Sequence, residues 1–393
     1  MVAGHLREKN GVYYTVLSYT DINGKRQTPT KSTGLPVKGN KKRAETMLRE
    51  AQQAMELELE RRRDEAASKP GDILFTEFML NWLEMMKNSV ELTTYSSYAR
   101  AIKRKINPYF ESVHPNLKLR DLTPKHIQDY YTYEMNVNQV SANTVIHRHA
   151  NIRKALQYAY KTDLISSNPA DKIERPKKVK FVGSYYGMDE LNQLFTVVRG
   201  DPCELGVILA AFYGLRRSEA LGLKWDAIDF KKKTITIRHT VTEVNIDGKC
   251  QLVEKDRTKT KSSYRTLPLV APFEELLLRL KEEQKQNRKM CGKAYCKEFS
   301  DYIYVNELGE LVKPGYLTAH FPALLVKNGM RRIRFHDLRH SCASLLYANG
   351  VSLKEIQEWL GHSNISTTAN TYTHLDYNTK VATADAIMGI LPT

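Results

Sequence analysis

The sequence predicts an α+β, multidomain protein. A small β-sheet domain opens the chain, an all-helical domain follows, and a mostly helical domain with a small antiparallel β-sheet closes it. Three observations predict this. The chain has 393 residues, more than one compact core usually takes. Two linker signals divide it: SKPGD at Ser68–Asp72, and the basic stretch Glu174–Gly187 broken by Pro176. Across those breaks the apolar spacing changes from alternation to helical periodicity, then to a mixture of the two. The domains so read span 1–67, 72–175 and 183–393.

The first domain begins as a β-hairpin. Val12–Tyr19 is rich in β-branched and aromatic residues, and Asn23-Gly24 is a two-residue turn signal. A helix is predicted from about Asn40 to Ala67. Residues 1–43 hold nine Lys/Arg against Glu8 and Asp21. So small a unit cannot build a deep core. A small sheet carrying basic and aromatic groups suits DNA, and a basic appendage that binds nothing in particular has the same composition.

In the second domain Phe75, Phe78, Met79, Trp82, Leu83 and Met86 recur at helical spacing, which marks core. Further helices are predicted over TTYSSYARAIKRKINPYF, over TPKHIQDYYTYEM with Thr123 as N-cap and Pro124 at the first helical position, and over SANTVIHRHANIRKALQYAYKTDL. Arg100, Lys103, Arg104, Lys105, Arg148, Arg153 and Lys154 are read as exposed; they suit a DNA groove or a solvated face equally. In the third domain helices are expected over about 188–222, strands over about 233–270 and helices beyond.

Composition narrows the partners. Sixty Lys+Arg against 44 Asp+Glu leave a formal charge of +16, with a pI near 9.4, the electrostatic footprint of a nucleic-acid binder. Hydrophobic content of 41% and a mean hydropathy of −0.49 suit a soluble globular chain. There is no run long and apolar enough to span a membrane, and the N-terminus lacks a signal core. Five scattered cysteines point to a reducing compartment and buried free thiols. CGKAYC lacks the second pair a zinc site needs. There is no GxGxxG and no Walker-type loop, so no nucleotide cofactor is expected.

Four stretches carry chemistry. AAFYGLRRSEALGLKWDAIDF (Ala210–Phe230) sets Arg216 and Arg217 between two helices, where a guanidinium can meet a phosphate or simply pair with Glu219 or Asp226. KDRTKTKSSYRTLPL (Lys255–Leu269) is basic and ends in a strand. It is expected to pair with KKTITIRHTVTEV across the Asp247-Gly248 turn. RFHDLRHSCASLLYANG (Arg334–Gly350) puts His336 and Arg339 three apart, on one helix face, with His340 pointing elsewhere; a capping histidine is the plainer reading. Finally, LGHSNISTTANTYTHL (Leu360–Leu375) holds His362, Tyr372 and His374.

In this order the boxes GLRRSEALGLKW, FHDLRHSCAS and LGHSNISTTANTYTH resemble those of the tyrosine recombinase family, specifically the integrases of conjugative transposons and temperate phages. The resemblance covers the whole chain. It implies an arm-site DNA-binding N-terminal domain, a SAM-like helical domain that binds core sites, and a catalytic domain ending in a tail. It implies that Arg216 and Arg339 clamp the scissile phosphate, with Arg217 structural. His336 would assist proton transfer, and His362 would hydrogen-bond a non-bridging oxygen. Tyr372 would attack phosphorus, giving a 3′-phosphotyrosine. A hairpin lysine would protonate the leaving 5′-oxygen: both Lys259 and Lys261 fit, and the Lys-Thr dipeptide ahead of the Arg-Thr-Leu-Pro strand favours Lys259. Tyr377 is the near competitor of Tyr372, and the spacing from His362 favours Tyr372.

The implied function is site-specific recombination that integrates and excises a mobile element, without metal, ATP or other cofactor. The implied partners are double-stranded DNA at core and arm sites, and a homotetramer formed when the apolar tail (Val381, Ala384, Ile387, Met388, Ile390, Leu391) docks on a neighbour or, alternatively, packs in cis. There is room for an accessory excision factor, and the setting would be the prokaryotic cytoplasm, at the nucleoid. The rivals are a type IB topoisomerase-like nicking-closing enzyme and a catalytically silent DNA-binding regulator.

Overall fold

A computed structural model describes residues 2–21, 24–67, 70–179, 183–256 and 264–363. The chain forms two compact units, one from residues 1–89 and 98–178 and the other from 90–97 and 179–393.

The first unit opens with strands β1 (Ala3–Lys9), β2 (Val12–Thr20), β3 (Arg26–Gln27) and β4 (Thr30–Pro36), followed by helix α1 (Lys41–Ala67). β1 and β2 pair antiparallel from Ala3↔Ser18 to Lys9↔Val12. The hairpin turn is therefore Asn10-Gly11, both at positive φ, as a two-residue turn with the twist of its strands demands. Thus Val12–Tyr19 is the second strand of the first hairpin, and β1, a strand of mixed polarity, is an addition to the sequence reading. β2 also pairs with β3, Tyr19↔Gln27 and Thr20↔Arg26. That places the second turn at Asp21–Lys25, where the Asn23 of the predicted turn lies outside the described residues. The core beneath is small: Val2, Leu17 and Leu59, with Leu48, Ala51 and Met55 against them.

Five helices follow: α2 (Phe75–Met86), α3 (Leu92–Ala101), α4 (Asn107–Val113), α5 (Pro124–Asn136) and α6 (Ala142–Lys161). The α2 stripe is core at Phe75, Phe78, Met79, Trp82 and Leu83. Thr123 caps α5, its side chain accepting from the His126 N–H. The single helix expected over α3 and α4 is interrupted by a π-helical turn at Ile102–Ile106. Pro108 explains it: with no N–H to give the carbonyl four residues back, it forces the ladder to widen ahead of it. The turn buries Ile102 and Ile106 and leaves Lys103, Arg104 and Lys105 exposed. Arg148 corrects the list of exposed cations. It is buried and paired with the equally buried Glu134, because a charge on the inner face of α6 persists only with a partner.

The second unit holds α7 (Met188–Val197), α8 (Glu204–Ala211) and α9 (Arg217–Leu221), then strands β5 (Ile228–Asp229), β6 (Thr234–Ile237), β7 (His239–Ile246), β8 (Lys249–Asp256) and β9 (Arg265–Pro268). Helices α10 (Ala271–Cys291), α11 (Pro314–Lys327), α12 (Asp337–Ala348) and α13 (Leu353–Leu360) complete the described part. The strands form a three-stranded antiparallel sheet, β5-β6-β9, and a separate β7-β8 ribbon. β9 pairs with β6, and β7 with β8 across Asp247-Gly248. The predicted pairing is therefore shared between two partners. Leu209, Leu221, Ile235, Leu267, Leu277, Phe321 and Leu338 belong to one core, each burial contributing about 1.5–3 kcal/mol. Cys203 and Cys342 are buried thiols as expected, whereas Cys250 is exposed and Cys291 and Cys296 are half-buried.

Candidate active site

The centre of the site is a carboxylate. Glu219, on α9, is fully buried. Its Oε1 accepts from Arg216 Nη1 at 2.8 Å and its Oε2 from Arg265 Nη2 at 3.0 Å. Oε2 also accepts from the Arg216 backbone N–H at 2.9 Å and lies 4.0 Å from Arg339 Nη1. Burial alone would raise the Glu219 carboxyl, but Arg265, Arg216 and Arg339 outweigh it and hold it down at about 2.

Local structure aims these groups. Gly214 sits at φ +65 between α8 and α9, turning the chain so that Arg216 becomes the N-cap of α9. The Arg216 side chain, about a third exposed, also reaches the Gly361 carbonyl at 3.4 Å. Arg217 turns away to Pro314 O and Thr318 Oγ1. The Asp226 alternative is closed, because Asp226 pairs with Arg238. Arg339 is buried on α12 and donates to the carbonyls of Gly214 and Leu360. α13 is capped by Ser352 and ends at Gly361 in the left-handed region, leading straight into His362.

The histidines sit in a cationic field. His362 is held far down, at about 3, by desolvation first and then by Arg339, Arg216, His340 and Arg265. His336 is the N-cap of α12. Solvent reaches its ring, yet crowded surroundings, then His340 and Arg339, hold it at about 4. Both are neutral at pH 7. His340 does not point elsewhere: its ring meets His336 edge-to-face at 5.3 Å, as residues four apart on a helix do.

The described residues thus bring Arg216, Arg339 and His362 together, with His336 beside Arg339. Lys259, Lys261, Tyr372, Tyr377 and the tail lie outside the described residues. The described residues on either side of the two lysines are each held. Before them, His239 bridges Asp256 and the hydroxyl of Tyr302 at 2.5 and 2.8 Å. After them, Arg265 binds Glu219. Sequence reasoning missed Arg265, although a signal was present: it shares the inward parity of β9 with Leu267, and a charge at such a position requires a buried partner.

Among the described residues one group has metal-ligand character: Asp201, Cys203 and His320. It is satisfied internally. His320 Nε2 meets both Asp201 oxygens at 2.9 and 3.0 Å, Asp201 accepts the Cys203 N–H at 2.8 Å, and burial pushes the Cys203 thiol well up.

The Phage integrase family matches residues 188–379, and the N-terminal SAM-like domain of phage integrases matches residues 74–135. The chain belongs to the phage integrase family of tyrosine recombinases. It is therefore an enzyme that cuts and rejoins DNA strands. Among its relatives is a "Tyrosine recombinase XerC-like" protein of Caldanaerobacter subterraneus subsp. tengcongensis, 28% identical over 77% of this chain and 80% of the other. The "ICEBs1 integrase" of Bacillus subtilis is 23% identical over 94% and 98%. In fold, this recombinase is similar to the Tn1549 transposon integrase (residues 82–397), solved with circular-intermediate DNA: TM-score 0.63, 18% identity, 79% and 99% covered. It is also similar to a lambda integrase dimer bound to a COC′ core site: TM-score 0.54, 18% identity, 93% of each chain. Among the described residues no helix is long and apolar enough to cross a membrane.

Proposed function

We propose that this recombinase integrates and excises a mobile DNA element through a 3′-phosphotyrosine on Tyr372. The observation that carries the reading is the convergence of Arg216 and Arg339. They come from separate boxes, share Glu219, and donate to successive carbonyls at the end of α13. An excess of positive charge pinned in one place suits a phosphodiester, whose charge grows in the pentavalent transition state. The phenolate of Tyr372 attacks phosphorus. The bond to the 5′-oxygen breaks, and Lys259 gives that oxygen its proton. His336, neutral, can take the proton of Tyr372, and His362, neutral, can donate to a non-bridging oxygen. The reverse attack by a 5′-hydroxyl of the partner strand releases the tyrosine and rejoins DNA, so the bond energy is conserved in the covalent intermediate.

The cationic surface of the first unit supports arm- and core-site binding by the domains at 1–67 and 72–175, with the chemistry in 183–393. A homotetramer on two duplexes, held by tails exchanged between neighbours, would bring four such sites together. The work would be done on DNA in the bacterial cytoplasm.

The test is a nicked suicide duplex, taken from the DNA flanking the coding sequence and incubated with the protein in EDTA. A covalent protein–DNA band mapping to Tyr372 is expected. Tyr372→Phe should abolish that band and joining, yet leave a native-gel shift. A shift with no covalent band under any condition would make the chain a silent binder. Joining by Tyr372→Phe would remove Tyr372 from the mechanism.

A further inference from the structure

Arg265 belongs to none of the boxes that mark the family resemblance. It opens β9, its backbone paired with Ile237 of β6, and its side chain is 7% exposed. Glu219 offers two oxygens. Arg216 occupies Oε1 with its side chain, and Oε2 with its backbone N–H. Arg265 donates a side-chain hydrogen bond to Oε2 at 3.0 Å, closer than Arg339 at 4.0 Å. The carboxylate plane is therefore held from one side by Arg265 and from the other by Arg216. Losing Arg265 would remove a buried donor from the carboxylate that the Arg216 side chain binds, and so weaken what orients Arg216.

Two further facts separate this from a buried ion pair that serves stability alone. The first is charge: three guanidinium groups face one carboxylate, which leaves the cluster cationic and ready for an anion. The second is satisfaction. Among the described residues, Arg265 Nε and Nη1 are buried without a hydrogen-bond partner. Buried donors are normally satisfied, so unpaired ones call for an explanation beyond packing.

We propose that Arg265 is a positioning residue for strand cleavage: working through Glu219, it fixes the Arg216 guanidinium against the scissile phosphate. This rests on the functional reading above. Arg265 touches no reacting atom in this account; it determines where Arg216 points.

The experiment measures single-turnover cleavage of the suicide duplex at saturating DNA by the full chain, Arg265→Gln and Arg265→Lys. Two substrates are compared, one with an ordinary scissile phosphodiester and one with a methylphosphonate there. The methylphosphonate is neutral and does not need the guanidinium clamp. On the phosphodiester, Arg265→Gln should be slower by on the order of 10–100-fold, the range for losing a group that orients a charged ligand, with DNA affinity little changed. On the methylphosphonate, variant and parent should converge. Arg265→Lys keeps the charge but loses the planar fork, and should show a smaller defect of the same kind. If Arg265→Gln does not fold, the lysine variant decides by the same comparison. Equal slowing on both substrates, parental rates on the phosphodiester, or loss of folding in both variants would each overturn the proposal and leave Arg265 a core strut. A parent protein that forms no covalent product with either substrate would instead sink the functional reading.

Discussion

Three guanidinium groups share the one carboxylate of Glu219, and that ratio makes the site sensitive to acid. Glu219 is depressed to about 2 from an ordinary 4.5, so its stabilising contribution is present above pH 4.5 and is lost as pH falls toward 2. His336 and His362 are depressed to about 4 and about 3 from 6.5, and His340 is also lowered. The unfolded chain binds protons on these rings below pH 6.5 while the folded chain refuses them, so each step down from pH 6.5 favours unfolding. Thermal melts of the DNA-free chain should therefore show a melting temperature that falls from pH 7 to pH 4, and that keeps falling below pH 4.5 as the unfolded chain takes up a proton that folded Glu219 refuses. His362→Gln should flatten the first part of that fall. A melting temperature unchanged between pH 7 and pH 5 would contradict the depressed histidines. At this scale Arg216, Arg339, His336 and His362 were legible because their boxes are local in sequence. Arg265 was not, because its meaning depends on Glu219, which lies on another element. The contact of His340 with His336 is not marked by the three-residue spacing of His336 and Arg339; it follows from the four-residue neighbour rule of a helix.

Elements deliver those residues, and the Gly214 turn is the tightest of the deliveries. A Cβ at Gly214 would stand 2.2 Å from Leu360 Cδ2, and its φ of +65 costs a side chain about 1–2 kcal/mol. The Gly214 and Leu360 carbonyls are the two acceptors that hold Arg339. Gly214→Ala should thus push α13 away from the turn and misplace both acceptors together. The expected loss of covalent-complex formation is on the order of 10²-fold, the scale of an ångström-level misplacement of a catalytic group. DNA binding through the first unit should persist. Parental cleavage rates in Gly214→Ala would show that Arg339 does not depend on this turn. The helices were largely readable, since amphipathic stripes and the Thr123 cap are local signals. The first hairpin was less so: β1 pairs through Asn10-Gly11, yet its exposed face dilutes the alternation that identifies a strand. The break between α3 and α4 depended on the interior consequence of one proline. The pairing of β9 with β6 rather than β7 is a tertiary choice that turn chemistry alone does not make.

At the scale of the whole molecule, the excess of positive charge is divided between two tasks. In the second unit it is concentrated against Glu219, where, on the proposed function, it would act on one phosphate. In the first unit it is spread over exposed side chains, where it can act on many. The π-helical turn illustrates the second use: its extra residue per turn keeps Ile102 and Ile106 in the core while Arg104 and Lys105 stand in solvent. Composition predicted a polyanion partner, but which cations are exposed needed burial to be seen: Arg148, read as exposed, is buried against Glu134. The division is testable by salt. Each phosphate neutralised adds about 0.9 to the slope of log K against log salt on duplex DNA. Arg104→Gln with Lys105→Gln should therefore weaken binding and lower that slope by about 1.8 if both contact phosphates. Single-turnover cleavage at saturating DNA should stay at the parental rate, because neither side chain belongs to the Glu219 cluster. An unchanged slope would place the π-helical turn off the DNA. An unchanged affinity with slowed cleavage would be the opposite of the expected pattern, and would mean that binding and chemistry are not apportioned between the units in this way.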